Sequence, residues 1–106
     1  MNKFYLKPSH LKTKKYDAIF FDDEGHYKIV SFGAIRPNGE PYEDYTMHKD
    51  DNRKRLYINR HQKREDFDDY MTRGALSRWV LWNKKTLKKS IMDFAKRFNL
   101  KYFGIL

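Results

Sequence analysis

Hydrophobic positions follow one period in the first third of this chain and another in the remainder. Phe4, Tyr5 and Leu6 form a short apolar run closed by Pro8, and residues 16–21, YDAIFF, carry the aromatic and β-branched side chains that favour strands. Residues 22–25, DDEG, follow them. Gly25 supplies the positive φ that a tight turn requires, which predicts an antiparallel hairpin between residues 16–21 and 27–35. In the second strand Lys28, Val30, Phe32 and Ala34 share one face, and Tyr27, Ile29, Ser31, Gly33 and Ile35 share the other. Both faces are largely apolar. That pattern predicts a strand covered on both sides, or packed on one side and sheltered by an aromatic loop on the other.

Residues 36–41, RPNGEP, hold two prolines and an Asn-Gly step, the clearest break in the chain. Beyond it the period becomes helical. Asp50 or Asp51 caps a helix running to about Arg64, and the acidic residues 65–69 interrupt it. Residues 72–83, with Leu76, Trp79, Val80 and Trp82, predict a short second helix. Thr86 caps a third, in which Leu87, Ile91, Phe94, Ala95 and Phe98 recur at i, i+4, i+7, i+8 and i+11, and Asn99 ends it. Residues 100–106 are apolar enough to return as a strand or to pack as a tail. The expected whole is one α+β domain over residues 1–106. It is sheet-rich over 1–47 and helical over 48–99, with an antiparallel hairpin or small sheet packed by two or three helices.

Composition narrows the chemistry. With 106 residues and 40% hydrophobic positions, 17% of all residues being aromatic, the chain has enough apolar material for one core. The absence of cysteine removes disulfides, thiolate metal sites and a cysteine nucleophile. The amino terminus has no apolar signal region and no stretch has the length of a membrane span, so neither secretion nor membrane insertion is expected. A net charge of +9 gives a long-range attraction for polyanions.

That charge is concentrated. Residues 53–64, RKRLYINRHQKR, hold six Lys or Arg and no carboxylate, and the first fifteen residues add five lysines and no acid. As a solvated helix, the first stretch pairs with Glu65, Asp66, Asp68 and Asp69. As a phosphate-binding face it uses Arg53, Lys54, Arg60, Lys63 and Arg64, with Tyr57 stacking or hydrogen-bonding, and Lys12, Lys14 and Lys15 add a second basic segment. As a nuclease it would use His48 and His61, with Asp50, Asp51, Asn52 and Asn59 nearby, yet His48 lies too close to Asn52 for the strand and loop such a site needs. Asp22, Asp23 and Glu24 read as a turn made acidic for solubility rather than as a metal site. No phosphate-cradling glycine loop, GxSxG or HExxH occurs. Trp79 and Trp82 read as core residues.

Residues 42–50 (YEDYTMHKD), 53–54, 60–61 and 64–65, together with 77–84 (SRWVLWNK) and the pairs Thr86-Leu87 and Ser90-Ile91, resemble a known set. They are similar to a family of small, basic, uncharacterised proteins encoded by large nucleocytoplasmic DNA viruses, the giant viruses. The likeness covers about residues 16–100, and the blocks DYTxHKD and SRWxLWNKxTL are its specific parts. The resemblance implies a viral origin and a place in the virion or the infected host cell, and carries over no catalytic residue. The expected function is non-enzymatic and free of cofactors and metals: binding of nucleic acid phosphates, DNA ahead of RNA. The alternatives are a minor capsid or inner-layer structural protein binding acidic viral proteins and, third, a metal-dependent nuclease.

Overall fold

The computed structural model describes all 106 residues, and the fold is α+β. The chain forms two compact units, a sheet unit of residues 1–42 and 95–106 and a helical unit of residues 43–94. The strands are β1 (Lys3–Pro8), β2 (Lys14–Phe21), β3 (Tyr27–Ala34) and β4 (Lys101–Ile105), in the spatial order β3-β2-β1-β4. The expected hairpin is β2–β3, in antiparallel register with Ala18 opposite Val30 and Phe21 opposite Tyr27. Gly25, at φ 90°, makes the turn. The apolar carboxyl-terminal run resolves into β4, which lies parallel to β1 with Phe4 opposite Tyr102.

One face of the sheet is closed and the other open. Phe4, Leu6, Ala18, Phe20, Val30 and Phe32 share the closed face and are all buried. Their rings meet in tilted pairs, Phe4 with Phe20 at 5.8 Å and Phe4 with Tyr102 at 5.0 Å, a geometry worth about 0.5–1.5 kcal/mol per pair beyond the area buried. On the opposite face Tyr27 is 67% and Ile29 44% exposed. The expectation that both faces of β3 are covered therefore fails at its first turn-proximal residues. Nothing shelters them, because the loop after β3 bridges Ile35 to Pro41, at the far end of the strand.

Asp17 of β2 also points to that second face, fully buried. Its carboxylate accepts from the Ser9 hydroxyl (2.7 Å), the His10 backbone N–H (3.1 Å), His10 Nδ1 (2.5 Å) and the Ser31 hydroxyl (2.6 Å). Burial alone would raise its pKa. The hydrogen bonds from His10, Ser31 and Ser9 outweigh it and hold the carboxyl well below the usual range. One charge thus fastens the β1–β2 turn to β3.

In the helical unit, α1 (Tyr45–His48) is capped by Asp44, whose carboxylate accepts from the Thr46 N–H, and Lys49 in the left-handed region ends it. Asp50 caps α2 (Asp51–His61), accepting from the N–H groups of Asn52 and Arg53. The second predicted helix is α3 (Arg73–Leu76), capped by Thr72 and continued by a π-helical turn over Ser77–Leu81. Thr86 caps α4 (Leu87–Arg97) through the Lys89 N–H. Ile91 and Phe94 of its apolar stripe are buried, Lys88, Lys89, Lys96 and Arg97 are exposed, and Asn99 at φ 54° ends it.

Candidate nucleic-acid interface

Helix α2 is short of apolar residues, so few side chains decide which way it faces. Tyr57 is buried, Lys54, Ile58 and His61 are half-buried, and the rest of the helix is exposed. The helix ends at His61, not near Arg64. Only Gln62, Lys63 and Arg64 follow, which offer nothing to bury, and the chain turns back as the N–H groups of Arg64 and Glu65 both donate to the His61 carbonyl.

Tyr57 is not free to meet a ligand, which corrects its assignment to the binding face. Its ring lies between His61 (centroids 4.1 Å apart, 25° between planes) and Trp82 (4.2 Å, 1°). Burial, and next Glu65, push its phenol pKa up to about 12. His48 also packs on Trp82, tilted by 58° with ring centroids 5.2 Å apart. Lys54 is also committed: its ammonium donates to the Asn83 carbonyl at 2.6 Å and sits 4.8 Å from the centre of the Tyr45 ring. Burial, then Arg78 and Lys84, pull its pKa down.

The remaining cations of the stretch face water. Arg53 pairs with Glu43 at 2.9 Å, both side chains being about half exposed, and so remains open to exchange. Arg60, Lys63 and Arg64 are exposed and enter no ion pair. The acidic segment that follows does not pair with them; its side-chain ion pair with the helix is Glu65 to His61 at 3.5 Å. In the sheet unit Lys12 is exposed in the β1–β2 turn, whereas Lys14 and Lys15 are half-buried on β2 and the Lys15 ammonium donates to the Tyr42 carbonyl. Lys15 is therefore a tether for the loop after β3 rather than a free contact.

Sequence reasoning passed over Arg55, exposed on α2 and bonded only to Asn52 Oδ1 (2.6 Å), and a second basic run of Lys84, Lys85, Lys88 and Lys89. All four of these lysines are exposed, and the charges of Lys84 and Lys85 act on Lys54 and Asp51 respectively. The signal was the paired lysines on either side of Thr86, which helix assignment absorbed as a wet face.

The histidines do not assemble a site. His48 Nδ1 accepts from the Asp50 N–H at 2.9 Å, which leaves Nε2 carrying the proton, buried and without a partner. His61 stacks on Tyr57, whereas His48 packs on Trp82. Asp22 is engaged by the N–H groups of Glu24 and His26 and by the His26 ring, and Asp23 by Lys3. No group of three or more His, Asp or Glu gathers closely enough to share a metal ion, and no helix is long and apolar enough to cross a membrane.

A four-stranded mixed sheet, with the helices inserted in sequence between its third and fourth strands and cations crowding one helix, defines a small basic α+β protein. Residues 5–61, from β1 through α2 and more than half of the chain, match the family of unknown function DUF5754, and the chain belongs to that family. No curated protein and no solved structure matches it.

Proposed function

We propose that this is a non-enzymatic protein that binds the phosphates of nucleic acid through the exposed cations of α2 and the turn after it: Arg53, Arg55, Arg60, Lys63 and Arg64. Lys84 and Lys85 add exposed cations within the helical unit, and Lys12 and Lys14 form a separate basic segment of the sheet unit. The observation that carries this reading is that Arg60, Lys63 and Arg64 stay unpaired although five residues rich in acid follow immediately. Pairing would offset part of their charge; unpaired, all three remain available to phosphate. DNA packaged in a virion is the setting the resemblance implies. Binding of duplex and single-stranded DNA, titrated with salt, tests the proposal. Affinity falls by roughly 10³ or more between about 50 and 200 mM salt if about six phosphates are contacted. Absence of binding at low salt refutes it.

A further inference from the structure

We infer that the open face of the sheet is a stacking platform for the bases of a single-stranded nucleic acid. The inference takes its class of partner from the phosphate-binding proposal and adds a second surface, in the other unit, with a different chemistry. The registers lay the open face out in cross-strand rows. Tyr27, Phe21, Lys3 and Lys101 form one row, Ile29, Ile19 and Tyr5 the next, and Ser31, Asp17 and Lys7 the third. Phe21 contacts both Tyr5, at 6.0 Å, and Phe103 of β4, at 5.3 Å, so an aromatic band crosses all four strands from Tyr27 to Phe103. Tyr27 is 67% and Phe103 48% exposed. Between the rows runs a groove of about 390 Å³ lined by Tyr5, Lys7, Ile19, Phe21, Tyr27 and Ile29 and by the β2–β3 turn, at the small end of the range for small-ligand sites.

Charge identifies the occupant. The aromatic band is flanked by Lys3 and Lys101 on one side and Lys7 on the other. Lys7 and Lys101 enter no ion pair, and the Lys101 ammonium rests 5.4 Å from the centre of the Phe103 ring. Of the nearby carboxylates, Asp17 is buried under four hydrogen bonds, Asp22 accepts from its own turn and Asp23 bonds Lys3, while Glu24 is exposed in the β2–β3 turn, 3.8 Å from His26. Exposed rings between cations suit a ligand with π faces strung on a negative backbone. Single strands have both, whereas a duplex presents no free base face to a flat sheet. A second copy fits worse, because pairing two such faces would bring together two chains that each carry a net charge of +9.

The test is fluorescence anisotropy at low salt, using a single-stranded DNA of about a dozen nucleotides, an abasic strand of the same length and a duplex. The wild-type protein is expected to bind the strand with bases roughly five- to a hundredfold more tightly than the abasic strand. Tyr27→Ala should erase most of that preference and leave duplex binding unchanged, and Tyr27→Phe should keep the preference. The ring at position 27 is mostly exposed, so both variants fold. Equal affinity for the abasic and base-bearing strands overturns the platform and leaves the phosphate grip standing. Failure to bind any of the three probes overturns both. A wild-type dimer that Tyr27→Ala dissociates makes the face a self-interface and also overturns the platform.

Discussion

Two residues of α2, three positions apart, mark the division between holding the unit together and facing solvent. Tyr57 is sandwiched between two rings, so Tyr57→Ala is expected to cost about 3–5 kcal/mol in a denaturant melt. Arg60 is exposed and enters no ion pair, so Arg60→Ala should change stability by less than about 0.5 kcal/mol while lowering the salt slope of DNA binding by about one unit. The basic run was legible in sequence, but the duty of Tyr57 was not. Its partner Trp82 lies far along the chain and is brought to it by the π turn, in which the Trp82 N–H donates to the Ser77 carbonyl. Lys54 misled in the same way, since its acceptor is the Asn83 carbonyl. His48 gives a third expectation. Burial first, and then the charge of Arg53, lower its pKa below the ordinary value of about 6.5, so the unfolded chain takes up a proton that the folded chain resists. Its stabilising contribution is full above that value and is lost as pH falls through it. His48→Asn, whose Oδ1 can replace Nδ1 as acceptor for the Asp50 N–H, should flatten the loss of stability measured between about pH 7 and 5 relative to wild type.

At the level of elements, legibility followed the number of local signals that agreed. Helix α4 had a cap, an apolar stripe and a left-handed stop, and all three are present. Phe94→Ala is accordingly expected to cost about 3–5 kcal/mol, and Lys89→Ala on its exposed side less than about 0.5 kcal/mol; equal melts would mean that the stripe is misassigned. The β2–β3 hairpin was equally clear from Gly25 and the aromatic and β-branched runs on either side of it. What residues 100–106 would become could not be read, because a short apolar run carries no record of its partner strand. The Asp17 network was invisible for a related reason. A lone Asp inside a strand suggests an exposed position, and only the fold brings Ser9, His10 and Ser31 to it. Asp17→Asn keeps the shape but removes the charge from those bonds, and should cost about 2–4 kcal/mol. In the wild-type protein the depressed carboxyl contributes stability above its unfolded value of about 3.9, and that contribution disappears as acid protonates it.

For the molecule as a whole, the charge of +9 sets the strength of the attraction for polyanions and the placement of cations sets its character. Composition announced the first. The second depended on which cations the fold uses internally: Lys15 and Lys54 hold backbone carbonyls, whereas Arg55, Arg60, Lys63 and Arg64 remain available to a ligand. Replacing Arg60 and Arg64 together by Ala should weaken binding to all DNA sequences by a similar factor, with contributions that add on the logarithmic scale. A loss confined to one sequence would instead indicate reading of bases by this helix.

The parallel pairing of β4 with β1 has a consequence for the order in which the chain folds. The β1–β2–β3 meander closes through short turns, but Phe4 must find Tyr102 across roughly a hundred residues. Relative to a five-residue loop that closure costs about 2.5 kcal/mol more in chain entropy. The meander therefore forms early and the fourth strand is added late, a zipper whose last tooth is the most easily released. Amide hydrogens of Tyr102 and Phe103 should exchange with solvent deuterium well ahead of those of Ala18 and Phe20. The phenylalanine at one end of the aromatic band would then come and go with its strand, even while the rest of the sheet stays closed.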